Sequence, residues 1–428
     1  MIVTPVTVIG VDDTDSRELG MCTTYVATRL AERVAAVDGS VERVLLVRLN
    51  PAVEHKTRGN AALAVHCDLD ADRALALARS ELDCAATADP DTNPGVVVAD
   101  RTPDAVPSPL VDVARRAVRE YVRPETVRRR LDAAGFATAE RGNGRGLVGA
   151  TAATGAWRAS GEWTYECLSY RERERWGSPR EVDSTSVFAA ADARYPEVWD
   201  TVDREENVAV CVPRTPCPVL HGVRGDDPGA VRRVAGAIES EPVARRRVFV
   251  TNQGTDAHLR PATDGVSDGR AYRLDGRVAA PPETREGGHV FFALDCDAEG
   301  SGHLRCVAFE PTKRFRDRVR VLRPGDRLTV CGEVSDGTLK LEKFAVRDLV
   351  TVEPATPDCP ACGRSMESAG RNAGYRCRDC PTSADAKVSR RVDRDLEPGW
   401  YEVPPCARRH VAKPLVRGGF DAPVHPER

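Results

Sequence analysis

Aromatic side chains and lysine are both scarce in this 428-residue chain, and long apolar runs are absent from it. Phe, Trp and Tyr make up 5% of the residues, so the hydrophobic cores have to be built from Val, Leu and Ala. No apolar stretch approaches the roughly 18 residues that a membrane-spanning helix needs. The N-terminus lacks the basic and then apolar regions of a secretory signal. We therefore expect a cytoplasmic protein without a membrane partner.

Lysine accounts for six of the 62 basic residues, and arginine supplies the other 56. The 65 acidic residues nearly balance them, which leaves a formal net charge of −3. This balance is typical of a solvated, heavily charged surface. Arginine also binds phosphate groups through two parallel hydrogen bonds. Local arginine placement is therefore more informative than the net charge.

Ten of the fourteen cysteines stand singly, and we expect them to be reduced core residues in a cytoplasm. The other four form two CxxC pairs fourteen residues apart, Cys359–Cys362 and Cys377–Cys380. Tetrahedral Zn²⁺ favours four thiolates, and a module of some 25 residues has too small a core to fold without a metal. The spacing predicts a structural zinc ribbon, in which the protein fills all four ligand positions.

An apolar run at the start of the chain, Val8–Val11, leads directly into Asp12, Asp13 and Asp15. Clustered carboxylates repel one another unless they hold a cation or meet a ligand. Carboxylates at the end of a strand commonly bind Mg²⁺, which shares hard oxygen ligands with phosphates. The pattern predicts a site for Mg²⁺ and a phosphate compound.

Three loops rich in Gly and Arg could hold the phosphates of ATP, although none matches a P-loop or a dinucleotide fingerprint. They contain Lys56 and Arg58, then Gly144 and Arg145, and finally Arg224 within residues 221–225. A further polar cluster, residues 251–256, is as consistent with a capped helix start as with a binding site.

The order of helix and strand patterns predicts a multidomain α+β protein. Alternating strands and helices fill residues 1–195 and indicate α/β or α+β construction, of which we expect an α/β domain there. A smaller βαβ-like block follows, with strands at 208–212 and 247–251 around a helix at 229–239. Residues 273–352 contain five short strand patterns with turn signals, typical of an OB-fold barrel. These patterns run over residues 270–278, 289–295, 303–309, 326–334 and 339–348.

Basic residues near the barrel and in the C-terminal tail predict nucleic-acid binding, because cations neutralise phosphates and neighbouring aromatic rings stack on unpaired bases. The alternative is an ordinary charged surface. The candidate residues are Lys313, Arg314, Arg316, Arg408, Arg409, His410 and Lys413.

Several of these motifs occur together, in the same order, in one known family. They are Ile9–Ser16, Gly20–Thr24, Lys56–Asn60, Gly144–Leu147, Pro216–Leu220, Thr251–Asp256, Glu310–Lys313, the zinc ribbon and Ala407–Leu415. In these motifs the chain resembles the archaeal tRNA(Ile2) 2-agmatinylcytidine synthetases over nearly its whole length.

The resemblance implies an ATP-dependent ligase that forms agmatidine. Such enzymes phosphorylate the C2 oxygen of the wobble cytidine in the CAU anticodon, and agmatine then displaces the phosphate, so that the codon read changes from AUG to AUA. The resemblance also implies a kinase-like domain (1–195), a ferredoxin-like domain (196–272), an OB fold (273–352), a zinc ribbon (353–383) and a basic tRNA-binding tail (384–428).

The resemblance suggests roles for individual residues. Asp12, Asp13 and Asp15 are expected to hold Mg²⁺ and ATP, and Thr23 aligns with a threonine that the family phosphorylates on itself. The alternative for Thr23 is a helix N-cap. Agmatine is dicationic, so its pocket needs a carboxylate, for which Glu166 and Asp256 are candidates.

Two other functions fit the residues. One is a non-catalytic tRNA-binding protein whose acidic strand end is a structural cation site. The other is a Mg²⁺-dependent phosphohydrolase that uses the aspartates to activate water for attack on nucleotides.

Overall fold

A computed structural model describes residues 6–54, 56, 59–297 and 302–428 of the chain. Two nine-stranded sheets organise most of these residues, one in each half. No helix among the described residues is long and apolar enough to cross a membrane.

The first sheet spans the N-terminal half and has the strand order β5-β4-β1-β3-β2-β11-β6-β10-β7, while β8 and β9 form a separate hairpin. The strands are β1 (Thr7–Asp12), β2 (Val41–Arg48), β3 (Ala61–Cys67), β4 (Gly95–Ala99), β5 (Ala137–Glu140), β6 (Thr164–Arg171), β7 (Val198–Trp199), β8 (Val202–Asp203), β9 (Val208–Ala209), β10 (Val219–Gly225) and β11 (Val243–Thr251).

All neighbours in this sheet are antiparallel except β2 and β11. The α/β organisation predicted for the first domain is therefore wrong in detail, and the sheet is of the α+β type. The reason is that β3 lies between β1 and β2 and pairs antiparallel with both. β1 and β2 run parallel to each other, as a βαβ pattern suggests, but they are not neighbours.

Helices cover both faces of this sheet. Tyr25 and Leu30 of the first helix pack on one face of β1 with Ile9 and Val11, whereas Val8 packs on the other face. The helices are α1 (Thr23–Ala36), α2 (Ala71–Glu81), α3 (Ser108–Ala117), α4 (Pro124–Ala134), α5 (Gly146–Ala159), α6 (Ser184–Asp192) and α7 (Pro228–Ala237). A later helix, α8 (Phe315–Arg320), belongs to the C-terminal half.

Glycines let α5 lie directly on the sheet. A Cβ on Gly10 would collide with the carbonyl of Ala150, and one on Gly95 would collide with the backbone at Gly146. The start of α5 therefore touches the backbone of β1 and β4, next to the end of β1 where the aspartates follow.

Strands β9 and β10 each correct one prediction. The strand expected at 208–212 is reduced to the two residues of β9, and residues 221–225, taken as a phosphate loop, lie in β10. Every residue of β10 is buried between β6 and β7. Gly222 is needed because a Cβ there would approach Glu166 and Leu168 of β6. Here glycine serves close packing of strands rather than phosphate binding.

The second sheet contains a closed five-stranded barrel, in the order β13-β15-β16-β18-β17 and back to β13. All five strands expected for the barrel are confirmed. The strands of this half are β12 (Leu259–Pro261), β13 (Arg270–Val278), β14 (Glu283–Thr284), β15 (Val290–Cys296), β16 (His303–Ala308), β17 (Arg327–Ser335), β18 (Thr338–Asp348), β19 (Val352–Ala355), β20 (Glu367–Ser368), β21 (Tyr375–Arg376), β22 (Ser383–Ala384), β23 (Val388–Arg391), β24 (Gly399–Glu402) and β25 (Val424–His425).

The C-terminal segment is folded onto the barrel. Strand β24 pairs with β18, and β25 pairs with β24. Trp400 and Tyr401 are buried there, and Tyr401 stacks on Phe344 of the barrel. These two aromatic residues, which the sequence places beside the basic tail, are thus part of the core.

Candidate active site

The three aspartates lie where β1 ends and the chain turns sharply. Asp13 has a left-handed backbone (φ 58°), a conformation that Asp tolerates better than most side chains. Residues 86–93 hold the turn: Ala86 N–H donates to the Thr14 carbonyl, and the Thr92 hydroxyl donates to the Asp15 carbonyl. The acidic turn is therefore supported by a segment that sequence reasoning left unassigned.

Asp13 is fixed by Arg145 and Asn93. Its Oδ2 accepts from Arg145 Nε at 3.1 Å and from Asn93 N–H at 3.2 Å. Arg145 comes directly before α5, and a Cβ on Gly149, one turn into that helix, would collide with the Asp12 carboxylate. Glycine at 149 thus makes room for Asp12, and arginine at 145 orients Asp13.

Burial and mutual repulsion destabilise the charged forms of Asp12 and Asp13. Burial, followed by the charge of Asp13, raises the pKa of Asp12 well above its ordinary value. Burial also raises the pKa of Asp13, although Arg145 opposes that rise. A bound cation would relieve both costs.

Thr23 is the first residue of α1 and is buried. The N-cap position belongs to Cys22, whose side chain makes no capping hydrogen bond, so the capping alternative for Thr23 is wrong. The Thr23 hydroxyl instead accepts a hydrogen bond from the Thr14 hydroxyl at 3.1 Å. It lies on the same cavity as the aspartates.

That cavity has a volume of about 550 Å³ and brings many of the predicted residues together. Its lining includes Asp12, Asp13, Asp15, Thr23, Lys56, Arg145, Glu166, Arg224, Arg408 and His410. Carboxylates from one end of the sheet thus face cations from several segments of the chain. A cavity with this lining suits a triphosphate together with a small cationic substrate.

Arg48, at the end of β2, also lines the cavity and was missed by the sequence reasoning. Its guanidinium lies 3.9 Å from Glu166, and Arg224 lies 3.8 Å from Asp200. Both guanidinium groups lie farther from these acids than a hydrogen bond reaches, and Arg48 makes one long hydrogen bond to the Gly59 carbonyl, at 3.4 Å. The sequence signal that could have identified Arg48 is its position as the charged last residue of an apolar strand pattern.

Lys56 is held at the cavity by backbone carbonyls. Its Nζ donates to the Pro51 carbonyl at 2.5 Å and to the Val53 carbonyl at 2.8 Å. Burial lowers its pKa. Arg58 lies outside the described residues. Gly144 does not line the cavity; a Cβ there would collide with Arg128.

The two carboxylates suggested for agmatine lie in different places. Glu166 lines the cavity and accepts a hydrogen bond from Gln253 Nε2 at 2.5 Å. Asp256 does not line it; Lys343 Nζ donates to both of its oxygens, at 2.9 and 2.8 Å. Thr251 ends β11, and residues 252–256 form a turn after it, not the start of a helix.

Most of the basic residues suggested for tRNA contact are engaged in ion pairs. Arg314 lies between Glu427, at 2.5 Å, and Asp203, at 3.2 Å. The partners of the others are Glu206 for Lys313, Glu310 for Arg316, Glu333 and Glu342 for Arg409, and Glu162 for Lys413.

Arg408 is placed inside the protein, with 2% of its side chain exposed. It forms ion pairs with Asp200 and, at 2.8 Å, with Glu402. Its guanidinium also donates to the Val403 carbonyl at 3.0 Å. Arg408 thus joins the C-terminal segment to the N-terminal sheet and is not available on the surface.

The four CxxC cysteines converge as predicted. Their sulfur atoms all lie within 4.8 Å of one another, and the Sγ atoms of Cys362 and Cys377 are 3.6 Å apart. Zn–S bonds of about 2.3 Å in a tetrahedron place sulfurs about 3.8 Å apart, so the cluster fits zinc. Within the described ranges, no other group of three or more His, Cys, Asp or Glu side chains converges closely enough for one metal ion.

Three family models match the chain. The TiaS TCKD domain matches residues 8–69, the TiaS FLD domain matches residues 144–258, and the TiaS C-terminal zinc ribbon domain matches residues 356–396. The first covers the acidic turn and the third covers the four cysteines.

Similar proteins and structures extend over the whole length. The tRNA(Ile2) 2-agmatinylcytidine synthetase TiaS of Haloquadratum walsbyi is 52% identical over 99% of this chain and 100% of its own. The TiaS of Methanosarcina mazei is 46% identical over 96% of this chain and 97% of its own. Crystal structures of a TiaS–tRNA(Ile2)–ATP complex and a TiaS–tRNA(Ile2)–AMPCPP–agmatine complex match with TM-scores of 0.89 and 0.87 and identities of 39% and 37%, each over 99% of both chains. This chain belongs to the TiaS family of tRNA(Ile2) 2-agmatinylcytidine synthetases.

Proposed function

We propose that this protein is an ATP-dependent ligase that joins agmatine to the wobble cytidine of tRNA(Ile2). The observation that carries the proposal is end-to-end similarity to the TiaS family, together with a cavity that combines the acidic turn with a set of cations. Two relatives of known structure bind tRNA(Ile2) with ATP or with AMPCPP and agmatine. A tRNA-binding protein without catalysis and a phosphohydrolase are not favoured.

The chemistry requires activation of the base. The C2 oxygen of cytosine is a poor leaving group, so a phosphoryl group from ATP is first transferred to it. The amine of agmatine then attacks C2, a C–N bond forms, and the C–O bond to the phosphorylated oxygen breaks with release of phosphate. Phosphoryl transfer depends mainly on positioning and charge neutralisation, which this cavity offers.

The acidic turn is the proposed metal and ATP site. Asp13 is buried and Asp12 is half-buried, both have raised pKa values, and hard oxygen ligands of this kind fit Mg²⁺. Asp15 completes the set. When bound, Mg²⁺ would neutralise charge on the phosphates. The three carboxylates do not form a closed metal cage by themselves, so phosphate oxygens would supply further ligands.

The cations of the cavity are proposed to bind phosphate, and Glu166 is proposed to bind agmatine. Lys56, Arg145 and Arg224 reach the cavity from three segments of the chain, and we add Arg48 to them. Glu166 is favoured over Asp256 because it lies on the cavity, whereas Asp256 is engaged by Lys343.

The finer domain assignments are also proposals. A kinase-like unit in residues 1–195 is supported by the acidic turn and by Thr23 beside it. A ferredoxin-like unit in residues 196–272 would share its sheet with that unit, because β7, β10 and β11 continue the sheet that contains β6. The barrel and zinc ribbon are proposed to hold the tRNA. Flipping the wobble base out of its stack costs a few kcal/mol, which binding there offsets.

Mass spectrometry of the tRNA tests the function. After incubation of purified protein with tRNA(Ile2), ATP and agmatine, we expect nuclease digests to contain cytidine joined to agmatine. Omission of either ATP or agmatine should remove this product. A tRNA whose wobble base is uridine is the matched control. Tight tRNA binding without product would contradict the proposed reaction.

Thr23 is predicted to accept a phosphoryl group from ATP in the absence of tRNA. Its hydroxyl lies on the cavity with Asp12, Asp13 and Asp15. Incubation with labelled ATP should label the protein, and Thr23→Ala should reduce the label to background. Thr23→Ser keeps a hydroxyl and should remain labelled. Label that persists at full level in Thr23→Ala would place the acceptor elsewhere.

A further inference from the structure

The segment that follows Arg408 is hydrogen-bonded to the turn after β11. Gly254 N–H donates to the His410 carbonyl at 2.8 Å, and Asp256 N–H donates to the Val411 carbonyl at 2.9 Å. Lys413 N–H donates to the Asp256 carboxylate at 2.7 Å. These bonds assign a role to residues 251–256, which sequence analysis left between a helix cap and a binding site: they seat the C-terminal segment.

This seating puts His410 into the cavity. The side chain is accessible, and the space it faces lies within the cavity of the aspartates, so protein surrounds the ring although a ligand can reach it. A Cβ on Gly59 would lie 3.6 Å from Cδ2 of His410, so the ring is close to the loop that follows β2. In the described part of the chain, we find no hydrogen-bond partner for the imidazole. The ring is therefore free to bind a ligand.

Two arginines near His410 carry unused donors. The Nε of Arg48 and one terminal nitrogen of Arg224 are buried and have no hydrogen-bond partner among the described residues. Their acids, Glu166 and Asp200, stand 3.9 and 3.8 Å away. Buried donors without a partner are costly, and an oxyanion would satisfy them.

We propose that His410 is a substrate-binding residue that donates a hydrogen bond to a phosphate group held between Arg48 and Arg224. The phosphate belongs either to ATP or to the phosphorylated cytidine. The inference rests on the proposed function, and it moves His410 from the tRNA-binding surface, where its basic neighbours had suggested it, to the reacting groups.

The charges around His410 couple this contact to protons. The pKa of His410 lies well below its ordinary value. The largest cause is the charge of Arg48 in β2, followed by burial and then by the charge of Arg224 in β10. The ring is therefore neutral before a ligand binds. The acids beside these arginines are Glu166 and Asp200. The negative charge of a bound phosphate offsets the positive charges of the two arginines at His410. The pKa of His410 therefore rises on binding, and the ring takes up a proton. Phosphate binding should therefore strengthen as the pH falls.

Calorimetry with ATP and Mg²⁺ as the probe tests the contact. Titrations at pH 7 in buffers of different ionisation enthalpy should show that the wild type takes up a fraction of a proton more than His410→Asn does. This variant keeps a hydrogen-bonding group but no proton site, and any protons released by Asp12 and Asp13 are common to both proteins. His410→Ala should also weaken ATP binding by about tenfold, the scale of one lost charge-assisted hydrogen bond.

Two arms separate the two sources of the phosphate. If the phosphate is that of ATP, both the ATP affinity and the proton uptake change in the variants. If it is that of the phosphorylated cytidine, ATP binding stays normal while agmatidine formation falls at least about tenfold, the scale of a lost positioning contact. Wild-type protein that forms no agmatidine would overturn the proposed function, whereas the ATP arm would still report on His410.

His303→Asn is the matched control, since the side chain of His303 is 75% exposed on the barrel. Melting temperature and tRNA affinity show that each variant is folded. If the ATP affinity, the proton uptake and the rate of agmatidine formation of His410→Ala all stay within about twofold of the wild type, the inference is overturned.

Discussion

Asp13→Asn is expected to lower agmatidine formation by about 10³-fold while tRNA affinity stays within about twofold of the wild type. A loss of that size corresponds to about 4 kcal/mol of transition-state stabilisation. Asparagine keeps the volume of the side chain, tolerates the left-handed backbone at this position and can accept from Asn93 N–H. What it removes is the negative charge next to Asp12, and with it the proposed metal ligand.

Stability separates this interpretation from a folding defect. Burial raises the pKa values of Asp12 and Asp13, so their charges are unfavourable in the folded protein near neutral pH. Removal of one charge should leave the melting temperature unchanged or raise it. Asp104→Asn, at an exposed position of the turn Pro103–Ala105, is the matched control. Product formation within about tenfold of the wild type would show that Asp13 is not part of the catalytic site.

The features that could be predicted from the sequence are those with local signals. The zinc ribbon follows from the spacing of four cysteines, and the barrel follows from five alternating strands with turn residues between them. Asp12 and Asp13 could be found because clustered carboxylates directly after a buried strand repel one another unless a cation or a ligand is bound there. Each of these signals lies within a few tens of residues.

The features that were missed depend on distant parts of the chain. His221–Gly225 looks like a loop because it contains two glycines, but those glycines make room for β6 and for residues 197–198. Arg48 and Glu166 come together only because β11 lies between β2 and β6. No local pattern contains that information. The basic tail likewise predicts a nucleic-acid-binding surface, because the acids that pair with its basic residues come from distant segments of the chain.

Arg408→Met is expected to destabilise the fold by about 3–5 kcal/mol, the usual cost of removing one partner from a buried ion pair. Asp200 and Glu402 would both remain buried without their guanidinium. Burial already raises the pKa of Glu402 to about 7 against the opposing charge of Arg408, so the pKa would rise further in the variant. Protonation of Glu402 at low pH lessens the cost. The difference in melting temperature between variant and wild type should therefore be larger at pH 8 than at pH 6.

A second substitution tests whether unpaired buried carboxylates cause this loss of stability, because it removes one of them. Adding Glu402→Gln to Arg408→Met should recover part of the stability and flatten its pH dependence. Arg320→Met, at a partly exposed arginine paired with Asp317, should cost less than about 1 kcal/mol. If Arg408→Met instead melts like the wild type and loses tRNA affinity, Arg408 leaves its buried pairs to contact RNA. A stability loss of the predicted size makes Arg408 the residue that fixes the C-terminal segment, and His410 with it, against the N-terminal sheet.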